Sequence, residues 1–378
     1  MLSTIKMSLR FRGWISSHRF LLFALLIWAL IALHFRLPVP RTHTSKQRQS
    51  RQQKVFQYKS KHGIAKSQEI CDEKSQLQRV VITVKTGATE AHKRIPIQLQ
   101  TSLRCAPNLF IFSDMEDDIG NVHIYDALEG IPDSVKENNS DFDLYRKQKV
   151  LNDPVKIATI LGNMKDPRRP EDLAAWTLDK YKNLHIVEKT WNMKPDMDWY
   201  MHIDADTYVS WPTLMLWLEK LDPSQKSFIG SLSFVIENAF AHGGSGILLS
   251  REATRDFIDT HNGSVASWND KIHDNCCGDY VLALALKDLD MNVKNANPTV
   301  NGDPPAVIPF SLDRWCQPLV TMHHVAPAEA QMLHEFEARR KDKSVRQTEF
   351  KVSFFIFPIP DSCIETFDIC GAFQRFSF

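Results

Sequence analysis

The chain has 378 residues, 43% of them hydrophobic and 24% charged, a composition that suits one large folded domain with appendages and excludes a disordered polymer. Its formal net charge is +1, so no global field draws it to nucleic acid or another polyanion. Seven cysteines occur without any C-x-x-C pair, which argues against a structural zinc site.

In an oxidising compartment some of those cysteines pair. The odd count leaves one free or intermolecular, so a homodimer, disulfide-linked or non-covalent, is among the expected partners. Cys276 and Cys277 are adjacent. They are expected to pair elsewhere in the chain, for example with Cys316, rather than with each other. Asn138-Asn139-Ser140 and Asn262-Gly263-Ser264 are acceptor sequons for N-glycosylation.

Residues 1–19 read as a basic cytoplasmic tail. Residues 20–35, FLLFALLIWALIALHF, form an uncharged apolar run of roughly 24 Å as a helix. That is short for a span but suits a thin early-secretory membrane. A cleaved signal peptide and a buried core helix are the competing readings. The long basic leader and the lack of a small-x-small site favour a transmembrane signal anchor. Basic residues lie on both sides of the run, so charge does not set its orientation. Residues 36–75 read as a Lys-, Arg-, Gln- and Ser-rich stem linker. The catalytic domain is expected over 76–340, followed by a divergent tail over 341–378. Seven Phe between Lys351 and Phe378, with Pro358 and Pro360 among them, are too interrupted for a second span.

Within the domain, Arg79–Lys85 reads as a strand, Glu90 to Leu103 as a helix, and Asn108–Ser113 as a second strand. Strand, helix, strand implies a parallel sheet and an α/β fold. Ligands of such sheets sit at the carboxyl ends of the strands. Thr86, Gly87 and Asp114 occupy those ends and are candidate nucleotide contacts, with turn and cap chemistry as the structural alternative. One helical stretch is expected from about Pro170 to Thr190. A third strand, Asp198 to Ile203, then runs into Asp204-Ala205-Asp206. Past Trp211-Pro212, Leu214, Trp217, Leu218 and Leu221 recur at helical spacing.

Residues two apart on a strand share a side, so Asp204 and Asp206 are expected to face one way. Two carboxylates there repel unless a cation lies between or beside them. Oxygen ligands next to a phosphate favour Mn2+ or Mg2+. A D-x-D triplet alone is weak, and a helix cap with a solvated turn is the plain alternative. Its value lies in the frame: apolar strand, D-x-D, Thr-Tyr-Val, Trp-Pro, amphipathic helix.

Six ordered segments carry a resemblance. They are VITVKTG after Val80, FIFSD (110–114), WYMHIDADTYVSWPTL (199–214), FAHGGSGILLS (240–250), CCGDYVLALAL (276–286) and WCQPLVTMHHV (315–325). Together they make the chain similar to the fringe and core-1 β1,3-galactosyltransferase family, especially its fungal members. The resemblance implies a GT-A type nucleotide-diphospho-sugar transferase fold with a Rossmann-like, mostly parallel sheet. It further implies a type II membrane protein of the Golgi or endoplasmic reticulum with a lumenal catalytic domain. The implied activity is inverting, metal-dependent transfer from a UDP-sugar to a glycan or glycoprotein hydroxyl, forming a β1,3 bond. Galactose is the expected sugar, with N-acetylglucosamine or glucose as alternatives.

By the same resemblance, Asp206 is the direct metal ligand, and Asp204 a ribose-side or second acid of the metal site. His323 or His324 completes it. Asp279 is the general base. Gly243, Gly244 and Gly246 flank the donor sugar, and Lys182 matches a donor-binding lysine. Gly278 stands where the family has an acid, and Ala283 where it usually has glycine.

Physically, Asp279 opens an apolar helix, where exposed N–H groups and the macrodipole favour a carboxylate, the form a general base needs. Simple N-capping is compatible with that role. The glycines admit a ligand close to the backbone, or form an ordinary loop. Adjacent histidines project differently, so one of His323 and His324 is expected at the metal. A non-catalytic, sugar-binding membrane relative is the alternative function, motivated by Gly278 and the tail. A metal phosphohydrolase needs more acidic ligands than the chain offers.

Overall fold

Period-2 alternation decides the centre of the molecule. In the computed structural model, which describes residues 79–260, 265–308 and 317–339, the run VVITVK forms strand β1 (Val80–Lys85). Val80, Ile82 and Val84 turn to one face of the sheet and pack with one buried cluster, while Val81 joins the other. Thr83 and Lys85 share the face of Val81, as the alternation requires.

The strands continue as β2 (Leu109–Ser113), β3 (Asp117–Ile119), β4 (Val122–Asp126), β5 (Trp199–Asp204), β6 (Tyr208–Val209), β7 (Phe228–Gly230), β8 (Leu232–Val235), β9 (Asn238–Ala241), β10 (Ile247–Ser250), β11 (Val293–Asn295) and β12 (Thr321–Met322). Eight form one sheet in the order β11-β7-β10-β5-β1-β2-β4-β3. The centre is parallel: β1 lies between β2 and β5, parallel to both. β10 runs antiparallel to β5 and β7, and β3 antiparallel to β4 at the edge. The fold is α/β with a mostly parallel sheet, as the strand–helix–strand pattern implies. Such a sheet is covered on both faces.

The principal helices are α1 (Ala91–Gln100), α2 (Asp143–Leu151), α3 (Ala174–Asp179), α4 (Lys182–Met193), α5 (Trp211–Leu218), α6 (Arg251–Thr260), α7 (Gly278–Lys287) and α8 (Pro327–Arg339). Ile95 of α1 and Leu214 of α5 pack on the face of Ile82 and Val84. Leu184 and Val187 of α4, Phe257 of α6 and Leu282 of α7 pack on the face of Val81. The single helix expected over Pro170 to Thr190 is two helices, breaking at Lys180-Tyr181. The junction is a tightened turn: Lys180 and Tyr181 keep helical dihedrals, and the Tyr181 amide donates to the Leu178 carbonyl at 3.2 Å.

The expected tail, signal anchor and stem (1–75) and the C-terminal tail (341–378) lie outside the described residues, as do Cys71, Cys316, Cys363, Cys370 and the Asn262 sequon. Among the described residues no helix is long and apolar enough to cross a membrane. One cysteine expectation is corrected: Cys276 and Cys277 are bonded to each other. They sit in the turn that enters α7, with Cys277 as its extended N-cap residue. The other described cysteine, Cys105, is itself disulfide-bonded, so no described thiol is left for either of them.

Ile111 shows how much rests on the central strands. It is fully buried and pairs in register with Val84 on one side and Ile124 on the other. Ile111→Ala is expected to lower the stability of the domain by about 2–5 kcal/mol, from lost transfer energy and the cavity left behind, read as a shift of the urea unfolding midpoint.

Candidate active site and metal centre

Register alone builds the first part of the site. Lys85, the last residue of β1, lies directly opposite Asp204, the last residue of β5. Their side chains meet as an ion pair at 3.3 Å, and the Lys85 ammonium also pairs with Asp179 at the end of α3. Asp179 binds Lys182 at 3.0 Å, and Lys182 binds Asp114, at the end of β2, at 3.5 Å. Lys182 also donates to the Thr86 carbonyl at 2.7 Å. Charges therefore alternate along the carboxyl edge: Asp114, Lys182, Asp179, Lys85, Asp204. Burial works against the charged form of both lysines, but their carboxylate neighbours overcome it and raise each pKa. Burial also works against ionised Asp179, and there Lys85 and Lys182 prevail and lower the pKa. At Asp204 burial wins and the pKa rises, although Lys85 opposes it.

The two acids of the D-x-D triplet do not face one way, which corrects the expectation. The strand ends at Asp204, and Ala205-Asp206 forms a turn. Period-2 geometry therefore stops one residue before Asp206. Asp204 turns to Lys85. Asp206 turns to Arg94 of α1 (3.6 Å), His323 (3.1 Å) and His324 (3.4 Å). Among the described residues, the group able to hold a metal ion is Asp206, His323 and His324, whose ligand atoms lie within 4.8 Å of one another. Asp204, expected as a second ligand, is not part of it.

Both histidines reach Asp206, where one was expected. His324 has φ 54°, in the left-handed region, uncommon for a residue with a side chain. That turn stacks its ring on His323 at 3.8 Å between centroids rather than sending it to the opposite side. The Val325 amide, donating to the Asp206 carbonyl at 2.9 Å, holds the turn in place. A carboxylate with two imidazoles combines oxygen and nitrogen donors that suit a borderline divalent cation such as Mn2+. The charge state fits as well. Burial disfavours ionised Asp206, but the hydrogen bond and charge of His323, then Arg94 and His324, hold its carboxyl down at about 2. His323 is buried and His324 exposed, so the group is anchored on one side and open on the other. The Nδ1 of His323 is buried without a partner.

The glycine loop closes the site. Gly243, Gly244 and Ser245 form a 3-10 turn, and Gly246 has φ 106°, a conformation that favours glycine. A Cβ on Gly244 would strike the imidazole of His323. The Thr207 hydroxyl donates to the Gly244 carbonyl at 2.7 Å, tying the D-x-D turn to this loop. The Gly243 amide donates to the Asp279 carboxylate at 2.8 Å. Asp279 stands in the first turn of α7, half-buried, and also caps the Tyr280 amide at 2.9 Å. Gly278, where an acid was expected, has a packing reason. A Cβ there would come within 2.6 Å of the Lys180 carbonyl and 2.7 Å of the Asn183 side chain. Ala283 is buried in the core.

Asp114 and Lys182, expected as donor contacts, are 0% and 1% exposed and are engaged with each other. Asp114 also accepts from the Ala88 amide at 2.6 Å. Thr86 and Gly87 are buried beside them. These four residues form the floor of the site rather than its surface. The sequence reading missed Lys85 and Asp179, which hold Asp204, and Arg94, which faces Asp206. It also missed Gln98, whose buried amide donates to the Ala205 carbonyl (2.8 Å) and the Thr207 carbonyl (3.1 Å). Gln98 lies one turn beyond Arg94 on α1, and a glutamine flanked by Ile97 and Leu99 in the helix is the signal that could have found it.

The chain matches the Fringe-like family over residues 75–297, more than half of its length. The chain belongs to the Fringe-like family. It is a glycosyltransferase of that family. The matched span holds Asp206, the glycine loop and Asp279, and ends before His323 and His324. Solved structures also overlay on this fringe-like chain, at low scores. One is a glycosyltransferase involved in the glycosylation of the major capsid of PBCV-1, 10% identical, covering 68% of this chain and 99% of that chain with a TM-score of 0.33. Another is the galactosyltransferase LgtC in complex with donor and acceptor sugar analogs, 12% identical, covering 74% of this chain and 98% of that chain with a TM-score of 0.35. The identification stands on the family match.

Gly244→Ala in this fringe-like enzyme is expected to displace the His323 ring, so that a divalent cation offered to the candidate group of Asp206, His323 and His324 binds about tenfold more weakly than in the wild type, with the circular dichroism spectrum unchanged. Manganese titration followed by electron paramagnetic resonance measures it. Wild-type affinity in the variant would separate His323 from the metal.

Proposed function

We propose that this chain is an inverting UDP-sugar transferase of GT-A type, forming a β1,3 bond to a glycan or glycoprotein hydroxyl, with galactose the leading donor sugar. The observation that carries it is the convergence of a metal-ligating group and the Asp279 carboxylate across one glycine loop. Gly244 abuts His323 while Gly243 binds Asp279.

In this reading Asp206, His323 and His324 hold a divalent cation, Mn2+ or Mg2+. When bound, the cation supplies positive charge against the diphosphate leaving group. Arg94 adds a second positive charge beside Asp206. The glycine loop lets the donor sugar lie against the backbone. Asp279 accepts the proton of the acceptor hydroxyl as that oxygen attacks the anomeric carbon. The Gly243 amide holds its carboxylate in place and leaves lone pairs free for that proton. Lys85 pairs with Asp204, whereas Asp206 faces Arg94 and two histidines and Asp279 is held by backbone amides. One departing diphosphate and one transferred proton require two acids in two roles, which matches that division.

A lumenal domain behind a signal anchor in the Golgi or endoplasmic reticulum is part of the same proposal. Asn138 supports it: the residue is exposed in a left-handed turn, so a glycan attached there projects into solvent. Asn139 beside it is engaged, its amide donating to the Tyr181 hydroxyl at 3.1 Å.

Two outcomes follow. Asp279→Asn is expected to lower transfer by at least about a hundredfold while leaving UDP binding unchanged, measured as UDP release across a panel of UDP-sugars with Mn2+ and with EDTA. Transfer by this variant at the wild-type rate would falsify the base assignment. Treatment of the chain from its native membranes with an endoglycosidase is expected to shift its mobility, with part of the shift lost in Asn138→Gln. A chain carrying no glycan removes the support from Asn138 and counts against the lumenal placement.

A further inference from the structure

A cleft of about 500 Å³ opens between the start of α1 and the chain segment 154–163, within the size range of small-ligand sites. Its two walls differ in chemistry. The α1 wall carries Glu90, His92, Lys93 and Arg94, and Arg94 reaches 3.6 Å from both Glu90 and the Asp206 carboxylate. The facing wall is largely apolar, with Pro154, Val155 and Ala158. Val155 is 69% exposed, an aliphatic side chain left open on a cleft wall.

That facing wall has one free polar side chain. The Thr159 hydroxyl is turned back on its own helix, donating to the Val155 carbonyl at 2.8 Å. Lys156 is paired with Asp153 at 3.2 Å. Asn163 is exposed, lines the cleft, and its carboxamide makes no hydrogen bond to any other side chain or backbone group described above. A carboxamide offers one acceptor oxygen and two N–H donors. Uracil offers the complement on its pairing edge, a carbonyl acceptor beside an N–H donor, and bases are commonly read on that edge while a ring face rests on apolar side chains. Phosphates belong at the other wall, where Arg94 extends toward Asp206 of the metal-binding group.

We propose that Asn163 reads the nucleobase of the donor, its carboxamide making a two-point hydrogen bond to uracil while Val155 and Pro154 carry the ring. This rests on the UDP-sugar reading above and deepens it, since it places base selection on a wall remote in sequence from the D-x-D triplet. It also accounts for the floor position of Asp114 and Lys182, which are buried against each other and leave the base to be held from the opposite wall.

The test is equilibrium binding to the full chain in detergent with Mn2+, using UDP and inorganic pyrophosphate as probes. For Asn163→Leu, UDP affinity is expected to fall about tenfold, the scale of one lost two-point base contact. Pyrophosphate affinity should stay at the wild-type value. Asn163→Asp, which keeps the acceptor and loses the N–H donors, should show the same direction of change. Unchanged UDP affinity in both variants overturns the proposal. Equal losses of UDP and pyrophosphate overturn it too, because they report a distorted cleft rather than a lost base contact. A wild-type chain that binds pyrophosphate but no UDP refutes the donor reading itself, and with it the role of Asn163.

Discussion

The site depends on a row of alternating charges at the carboxyl edge of the sheet. Asp114, Lys182, Asp179, Lys85 and Asp204 come from the residue after β2 and from α4, α3, β1 and β5 in turn. Each member is flanked by opposite charge. That arrangement is what lets ionised groups stay buried, since an isolated buried charge is costly and pairing offsets part of that cost. Removing Lys85 would leave Asp204 without its lysine, and removing Lys182 would do the same to Asp114. The row pins three strand ends and the junction of two helices to one another. The edge of the sheet is therefore rigid where a ligand approaches.

That row has a consequence for the D-x-D triplet. Its first acid is absorbed by Lys85 and becomes part of the support. Its second acid escapes because the strand ends between them, and it meets α1 and the histidine turn instead. The short turn that separates the two roles is held from three sides. Gln98 grips its carbonyls, Thr207 links it to the glycine loop, and the Val325 amide binds Asp206. A side chain such as His323 then keeps its place because the absence of a Cβ at Gly244 leaves room for it. Positioning of this kind is what metal and catalytic sites require, since small displacements of a ligating or reacting group are expensive.

The departures from the family pattern read differently once packing is known. Gly278 removes an acid from the start of α7, yet the space beside it is filled by the Lys180 carbonyl and Asn183. The loss is therefore tied to close contact between α7 and the α3–α4 junction. It leaves Asp279 in the first turn and joined to the glycine loop.

Much of the frame was legible in the chain itself. Alternation in VVITVK, the apolar run before Asp204, the helical spacing after Trp211-Pro212 and the acid opening α7 are local patterns, and local geometry carried them into the expected elements. The α/β class and the Fringe-like resemblance came from the same source. Contacts between residues far apart in the chain were not legible, because they depend on register and on turns. Lys85 meets Asp204 only because β1 and β5 align in parallel with those residues opposite each other. Arg94 and Gln98 are ordinary helix residues until α1 lies over the turn. Asp204 and Asp206 part company at a strand end that period-2 reasoning does not see. The two histidines share one carboxylate because a single residue adopts φ 54°. Sequence by itself determined which residues form strands and helices and which acids end them, since those follow from neighbours along the chain. Tertiary structure decided which acid faces the metal-binding group and which is neutralised beneath it, since that follows from neighbours across the sheet.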